Sequence, residues 1–325
     1  MRLGVYTITC HLSVYRPDDK ALREQSCQLS EMVKNATCIE LSHNMRMRKV
    51  LTSVIATVVT VAVLVVGILG IDYGTSIYAE YLLSVNVRNT ANLGSDPFVA
   101  ILAFPFIPQA MRDHYTELEI KANAVDHAMV GKASLEATMY SIDLTYASWL
   151  IKPDAKLPVD KLESRIIIDS MHLGQYLGIN DLMVEAPHRE TNDATGGTTE
   201  SGISSSHGLV LSGTPKSANF DHRVSVLVDL SIAPEDQATL VFTPTDIATG
   251  PDTANQPVPD DKRDLVLRAF SARMPDQKLP FGVAPTSEGA RGSDVIIEGI
   301  TRGVTITLDG FSSHDVRQQR CRAKR

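Results

Sequence analysis

Residues 50–71 read VLTSVIATVVTVAVLVVGILGI, 22 positions without a charge, and no other feature of this 325-residue chain restricts its fold so strongly. At about 1.5 Å per helical residue, such a run spans the ~30 Å hydrocarbon core of a bilayer. Arg46, Arg48 and Lys49 precede it and Asp72 follows. Cations gathered on the N-terminal side predict that this side stays in the cytoplasm and that everything after Asp72 is exported. A buried core helix fits poorly, because such helices rarely lack a polar face. A cleaved signal peptide is the alternative, but its apolar region is usually about 7–15 residues long and ends at a small-x-small site. Residues 67–70 make a poor site of that kind. Residues 45–71 are therefore expected to be an uncleaved signal anchor, a single transmembrane helix.

The stretch upstream, residues 1–44, holds Cys10, Cys27 and Cys38 and shows no sustained periodicity. Met45-Arg-Met-Arg-Lys has the form of a signal n-region, so translation is expected to start at Met45 or Met47, with residues 1–44 a misassigned start or a cytoplasmic tail. From such a start only Cys321 would remain, leaving the exported part no internal disulfide. Even all four Cys are too few for a disulfide scaffold. A hydrophobic share of 43% excludes a disordered chain.

Charge divides at the apolar run. Residues 1–71 carry 8 basic and 5 acidic side chains, and residues 72–325 carry 23 and 33, so the second part stands at 23 − 33 = −10. That balance argues against an electrostatic nucleic-acid binder, and any contact of the domain body with lipid must be apolar. The exception is Arg317, Arg320, Arg322, Lys324 and Arg325 in the last nine residues, read as a basic disordered tail, residues 312–325, with anionic headgroups or wall polymer as the sharper alternative.

Residues 72–311 form the expected exported domain. Ile77, Tyr78, Tyr81, Leu82 and Val85 recur at helical spacing, and this helix is expected to end near residues 92–94 with Gly94 as its left-handed cap. The period then becomes two. Leu118, Ile120, Ala122 and Ala124 alternate with polar residues, and Leu135, Ala137 and Met139 share one face. Tyr140, Ile142 and Leu144 lie on the opposite parity, which predicts a bulge or strong twist near residues 139–140. Val224 to Ile232, Leu240 with Phe242, and Val304 to Leu308 alternate likewise. Ser170 and Asp260 are expected to cap two short helices, and residues 191–206 and 248–259 read as surface loops. The sum is a mostly antiparallel α+β protein.

No P-loop, G-x-G-x-x-G, H-E-x-x-H, C-x-x-C or G-x-S-x-G occurs. The exported His residues (114, 127, 172, 188, 207, 222 and 314) are dispersed, without the pairing a metal site requires. The distinctive segment is PFVAILAFPFIP, residues 97–108, where apolar side chains occupy both parities. Either both faces are buried in a core, or one lines an apolar cavity. Tyr146 and Trp149 are ambiguous in the same way between core and interfacial anchoring.

Several pieces occur in a telling order: the anchor followed by Asp72, Tyr78-Ala79-Glu80, Ala103-Phe104-Pro105-Phe106-Ile107-Pro108-Gln109 with Tyr115, Leu177-Gly178-Ile179, Leu279-Pro280-Phe281-Gly282, and Gly299-Ile300-Thr301-Arg302-Gly303-Val304-Thr305-Ile306. With them the chain resembles the actinobacterial (mycobacterial-type) LmeA family of envelope phospholipid-binding proteins. The resemblance implies a fold related to the tubular lipid-binding (TULIP) proteins, a long twisted antiparallel sheet rolled around a helix and enclosing an apolar tunnel. It also implies a phospholipid partner, with the phosphatidylinositol type as one candidate, support of lipoglycan (mannan) assembly outside the plasma membrane, and envelope biosynthesis proteins as candidate partners. It carries over no catalytic residue, metal or cofactor. Departures are the upstream stretch, the 191–206 insertion, the basic tail, and Ala103 where Gly is common.

On that basis Phe98, Ile101, Phe104, Phe106, Tyr115, Leu118, Ile120 and Met139 are the candidate lining of a lipid site. Burial of acyl carbons gives about 0.8 kcal/mol per CH₂, so such a tunnel needs no wall charge. The alternatives are a non-enzymatic envelope scaffold whose rolled sheet is a dry core and, third, a lipid hydrolase or transferase.

Overall fold

In the computed structural model the described residues are 19–143, 155–186, 208–249, 253–254 and 257–312, with side chains described from residue 48 onward. The chain divides into two compact units, Met1–Gly70 and Ile71–Arg325. Described backbone in the first unit is helical, the beginning of α1 (Asp19–Thr90). Residues 50–71 present their Val, Leu and Ile side chains outward, and Arg48–Thr90 is long and apolar enough to cross a membrane.

The second unit is α+β with antiparallel sheets, as expected, and its strands divide between two sheets. Strands β1 (Phe98–Leu102), β2 (His114–His127), β3 (Gly131–Asp143), β4 (Leu157–Asp169), β10 (Ser287–Arg291) and β11 (Asp294–Ile306) form a six-stranded sheet in the order β1-β2-β3-β4-β11-β10. Strands β5 (Met183–Glu185), β6 (Gly208–Gly213), β7 (Val224–Ile232), β8 (Leu240–Ile247) and β9 (Ala272–Met274) form a five-stranded sheet in sequence order. Among the described residues three short α-helices punctuate them: α2 (Phe106–Met111), α3 (Ser170–Leu177) and α4 (Asp260–Ala269).

Alternation in β7 and β8 buries Val224, Val226, Val228, Leu230, Leu240 and Phe242, as the period-two pattern predicts. In the larger sheet the pattern breaks along one line. Thr116, Ser141, Asp160 and Gly303 lie in one row across β2, β3, β4 and β11, where the pairing skips a position without changing register. Ser141 (φ 54°) and Gly303 (φ 63°) are left-handed there. On one side of the row Leu118, Met139 and Leu162 are buried, and on the other Tyr115, Ile142 and Val159. The parity conflict in β3 is thus resolved at Ser141, just beyond the expected position. A second irregularity in β2, with Ala124 at φ 53°, leaves Ala124 exposed rather than on the face of Ala122.

Helix ends also differ in detail. Asn92, not Gly94, takes the left-handed conformation after α1 (φ 53°), because an Asn side chain tolerates that region. Asp169 rather than Ser170 caps α3, accepting from the His172 N–H at 2.8 Å, while Gly178 (φ 71°) ends it as expected. Pro259 precedes α4, and Asp260 is its first residue, placed to favour the positive end of the helix dipole. Of the loop read over 248–259, Ala248 is buried; residues 191–206, Tyr146, Trp149, Leu144 and residues 313–325 of the basic tail lie outside the described residues.

Candidate functional site

The part of α1 in the second unit packs with a face different from the expected one. Asp72, Ala79, Leu83, Ser84 and Val87 are buried, whereas Ile77, Tyr78 and Tyr81 are exposed. Hydrogen bonds select that face. Asp72 accepts from the N–H groups of Phe106 (2.8 Å) and Ile107 (2.7 Å), Glu80 accepts from the Ile101 N–H (2.9 Å), and Ser84 donates to the Pro97 carbonyl (2.6 Å). Spaced at i, i+8 and i+12, these side chains fall along one stripe and fasten the 97–107 segment antiparallel to the helix. Sequence periodicity misses this because it weighs apolar side chains, and here polar ones decide the buried face.

The segment 97–108 is accordingly a short strand, a turn and the start of α2. In β1, Val99 and Ile101 are buried while Phe98 and Leu102 face outward. The turn carries Ala103 at φ 76°, a left-handed conformation that Gly would adopt without strain. Gln109 closes it, its Nε2 donating to the Ala103 and Pro105 carbonyls and its Oε1 accepting from the Thr116 N–H.

The eight sequence-predicted lining residues separate into two groups. Ile101, Phe106, Tyr115, Leu118, Ile120 and Met139 are buried in a common core, where Phe106 meets Tyr115 at 6.0 Å between ring centroids. Phe98 and Phe104 stand out from it, 59% and 64% exposed. Ile120 and Met139 are fully closed, at 0% exposure.

Open space lies at the far end of the same layer. A cavity of about 430 Å³ sits where α1 ends, between the β2–β3 hairpin and residues 275–278. That volume is within the range of about 300–1,000 Å³ usual for small-molecule sites. Leu93, Val125, Met129, Ala133, Leu135 and Ile166 give it an apolar floor, and Asp126, His127, Asp276 and Lys278 an ionisable rim. On the rim Lys278 pairs with Asp276 at 2.9 Å and Lys132 with Asp126 at 2.6 Å. The floor continues into the core. Leu135 and Ile166 are paired, the next row is Ile120, Ala137 and Ser164, and the one after it Leu118, Met139 and Leu162. Of the eight residues, Ile120, Leu118 and Met139 lie in the two rows that continue from the cavity floor. Among the described residues, two hydroxyls without a hydrogen-bond partner mark this path: Ser312 Oγ at the cavity and the fully buried Ser164 Oγ one row inward. The cavity was invisible to periodicity because a hairpin, a helix end and a distant loop enclose it.

The other face of the large sheet is charged. Arg165 bonds Glu298 (2.5 Å) and Glu163 (2.8 Å) and lies 3.8 Å from Glu136, beside a groove of about 610 Å³ that also takes in Tyr140, Lys161, Glu117 and Glu119. Burial, then the neighbouring charges of Glu119 and Glu163, push the Glu117 carboxyl above its ordinary value. Among the described residues no group of three His, Cys, Asp or Glu is placed to hold a metal.

The model of the LmeA-like phospholipid-binding family matches residues 72–300. The chain belongs to this family. No curated protein and no solved structure matches it. The LmeA-like match begins at Asp72, the residue that fastens α1 to α2, and spans the closed rows and the cavity lining other than Ser312. LmeA-like proteins are a phospholipid-binding rather than an enzyme family, and the motif pieces have structural explanations here. At Gly299 a Cβ would come within 2.4 Å of the Ala284 carbonyl and 2.6 Å of Leu279, so the 279–282 and 299–306 pieces meet at a position only Gly fits. Ile179 presses its carbonyl on Gly174 and its side chain on Gly213, which ties α3 to β6.

Proposed function

We propose that this chain is a membrane-anchored, outward-facing phospholipid-binding protein that supports assembly of envelope lipid or lipoglycan, mannan included. Residues 45–71 serve as the signal anchor with the N-terminus inside, residues 72–311 as the lipid-binding domain on the far side of the plasma membrane, and residues 312–325 as a basic tail. The observation that carries the reading is the apolar-floored cavity in a domain of a phospholipid-binding family. Its floor runs on into the rows of Ile120 and of Leu118 with Met139, which gives an acyl chain a path into the core once the chain parts these side chains. The rim offers Lys278 and His127 to a headgroup phosphate, and the Ser164 hydroxyl stands where an ester carbonyl could accept from it. A phosphatidylinositol-type lipid is the candidate cargo, and envelope biosynthesis enzymes are the candidate partners.

The test is native mass spectrometry of the full chain, extracted in mild detergent from an actinobacterial envelope, with the released lipid identified. A stoichiometric phospholipid is expected, and Ala133→Trp, which fills the cavity, should remove it. Full occupancy in a folded Ala133→Trp chain would overturn the cavity assignment. The closed state of Ile120 and Met139 favours a second reading, a non-enzymatic envelope scaffold with a dry core. A chain that carries no phospholipid and takes up none when it is added would favour that one.

A further inference from the structure

Two exposed aromatic residues, Tyr73 and Phe104, lie at the end of the second unit where the chain arrives from the apolar run. Asp72 directly follows the last residue of the apolar run, and it accepts hydrogen bonds from Phe106 and Ile107. The turn holding Phe104 is therefore fixed within a few residues of the point where the chain would leave a bilayer. Covalent continuity alone requires this, whatever direction the domain takes. Tyr73, Ile77 and Tyr81 form an i, i+4, i+8 row on α1, next to the side that Glu80 and Ser84 attach to β1. Phe98, Leu102 and Phe104 point outward from that attached segment, and Met111, 81% exposed, stands at the end of α2. A soluble domain seldom leaves so many large apolar side chains together in water. Tyr flanking an apolar span suits the headgroup boundary, where its hydroxyl stays wet, and Phe and Leu suit the acyl side of that boundary.

We propose that the 102–111 hook, with Phe104 at its tip and Leu102, Met111 and Tyr73 beside it, is a membrane-embedding element that inserts into the outward-facing leaflet of the bilayer spanned by residues 50–71. The hook sets the attitude of the domain on that surface. The inference rests on the membrane-spanning reading of residues 50–71 and adds to it a second, interfacial contact.

The test uses the full chain in phospholipid nanodiscs containing lipid brominated on the acyl chain near the headgroup, with Trp fluorescence as the readout over a Trp149→Phe background. Phe104→Trp and Met111→Trp report the hook, Leu64→Trp the span, and Met171→Trp an exposed site on α3 as control. Bromine is expected to quench Phe104→Trp and Met111→Trp at least about twofold more than Met171→Trp, since interfacial side chains lie about 5–10 Å into the headgroup–acyl boundary. Quenching of Leu64→Trp with none at the two hook positions would overturn the proposal and leave the anchor standing. If Leu64→Trp is not quenched either, the anchor reading fails and the hook falls with it. Protection of the hook by a second copy of the chain, seen as a dimer mass with no bromine effect, would also overturn it.

Discussion

Ala103 adopts φ 76°, where an L side chain costs about 1–2 kcal/mol, because the turn between β1 and α2 must reverse direction within a few residues. Ala103→Gly is expected to raise stability by about 1 kcal/mol, or about 2–4 °C in melting temperature for a domain of this size. Thermal melts of the two chains check it. Asp181 makes a pH-dependent contact. Burial opposes its ionisation, but bonds from the Thr214 N–H (2.9 Å) and hydroxyl (2.8 Å) outweigh that and hold its carboxyl below the ordinary range. A depressed folded-state value gives stability that is fully present above the unfolded-state pKa of about 4 and is lost as pH falls through the lower folded-state value. Asp181→Asn should therefore be destabilised at pH 7 and converge with the parent chain as the pH drops below about 4 in denaturant titrations.

At the scale of elements, Gly299 is the point where β11 admits the 279–284 segment. Gly299→Ala drives a Cβ into the Ala284 carbonyl and the Leu279 and Val283 side chains. A loss of about 2–4 kcal/mol is expected, since backbone on one side cannot yield, and chemical denaturation measures it. Arg165 has the corresponding role on the charged face. Arg165→Ala takes the guanidinium away from Glu298, only 2% exposed, and leaves Glu163 with Lys161 alone, at a cost on the order of 3 kcal/mol. Arg165→Ala/Glu298→Gln should recover part of that loss, which a double-mutant cycle reads directly. Elements were legible where side chains of one kind alternate, as in β7, where Val224, Val226, Val228 and Leu230 are buried. They were not where polar groups select the face. The buried stripe of α1 is set by Asp72, Glu80 and Ser84, whose partners are backbone groups on another segment. The break in β3 was legible as a conflict between Met139 and Ile142, but its place at Ser141 follows from neighbours in β2, β4 and β11.

For the molecule as a whole, lipid that binds only the folded state must stabilise it by mass action. At a concentration of 100 times the dissociation constant the gain is about 2.7 kcal/mol. The melting temperature of the delipidated chain should rise accordingly with added phospholipid, and that of Ala133→Trp should not. The sequence by itself determined the apolar span, the acidity of the domain after it, the antiparallel α+β character and, through ordered motif pieces, the LmeA-like family. These are properties of local composition and period, which each segment expresses on its own. Tertiary structure alone decided which candidate residues are closed and which exposed. It put Leu118, Ile120 and Met139 in two adjacent packed rows, Phe98 and Phe104 on the surface, and the open cavity between a helix end, a hairpin and a loop. The physical reason is that burial belongs to pairs of surfaces: a side chain's exposure depends on what the rest of the chain lays against it, and that partner is distant in sequence.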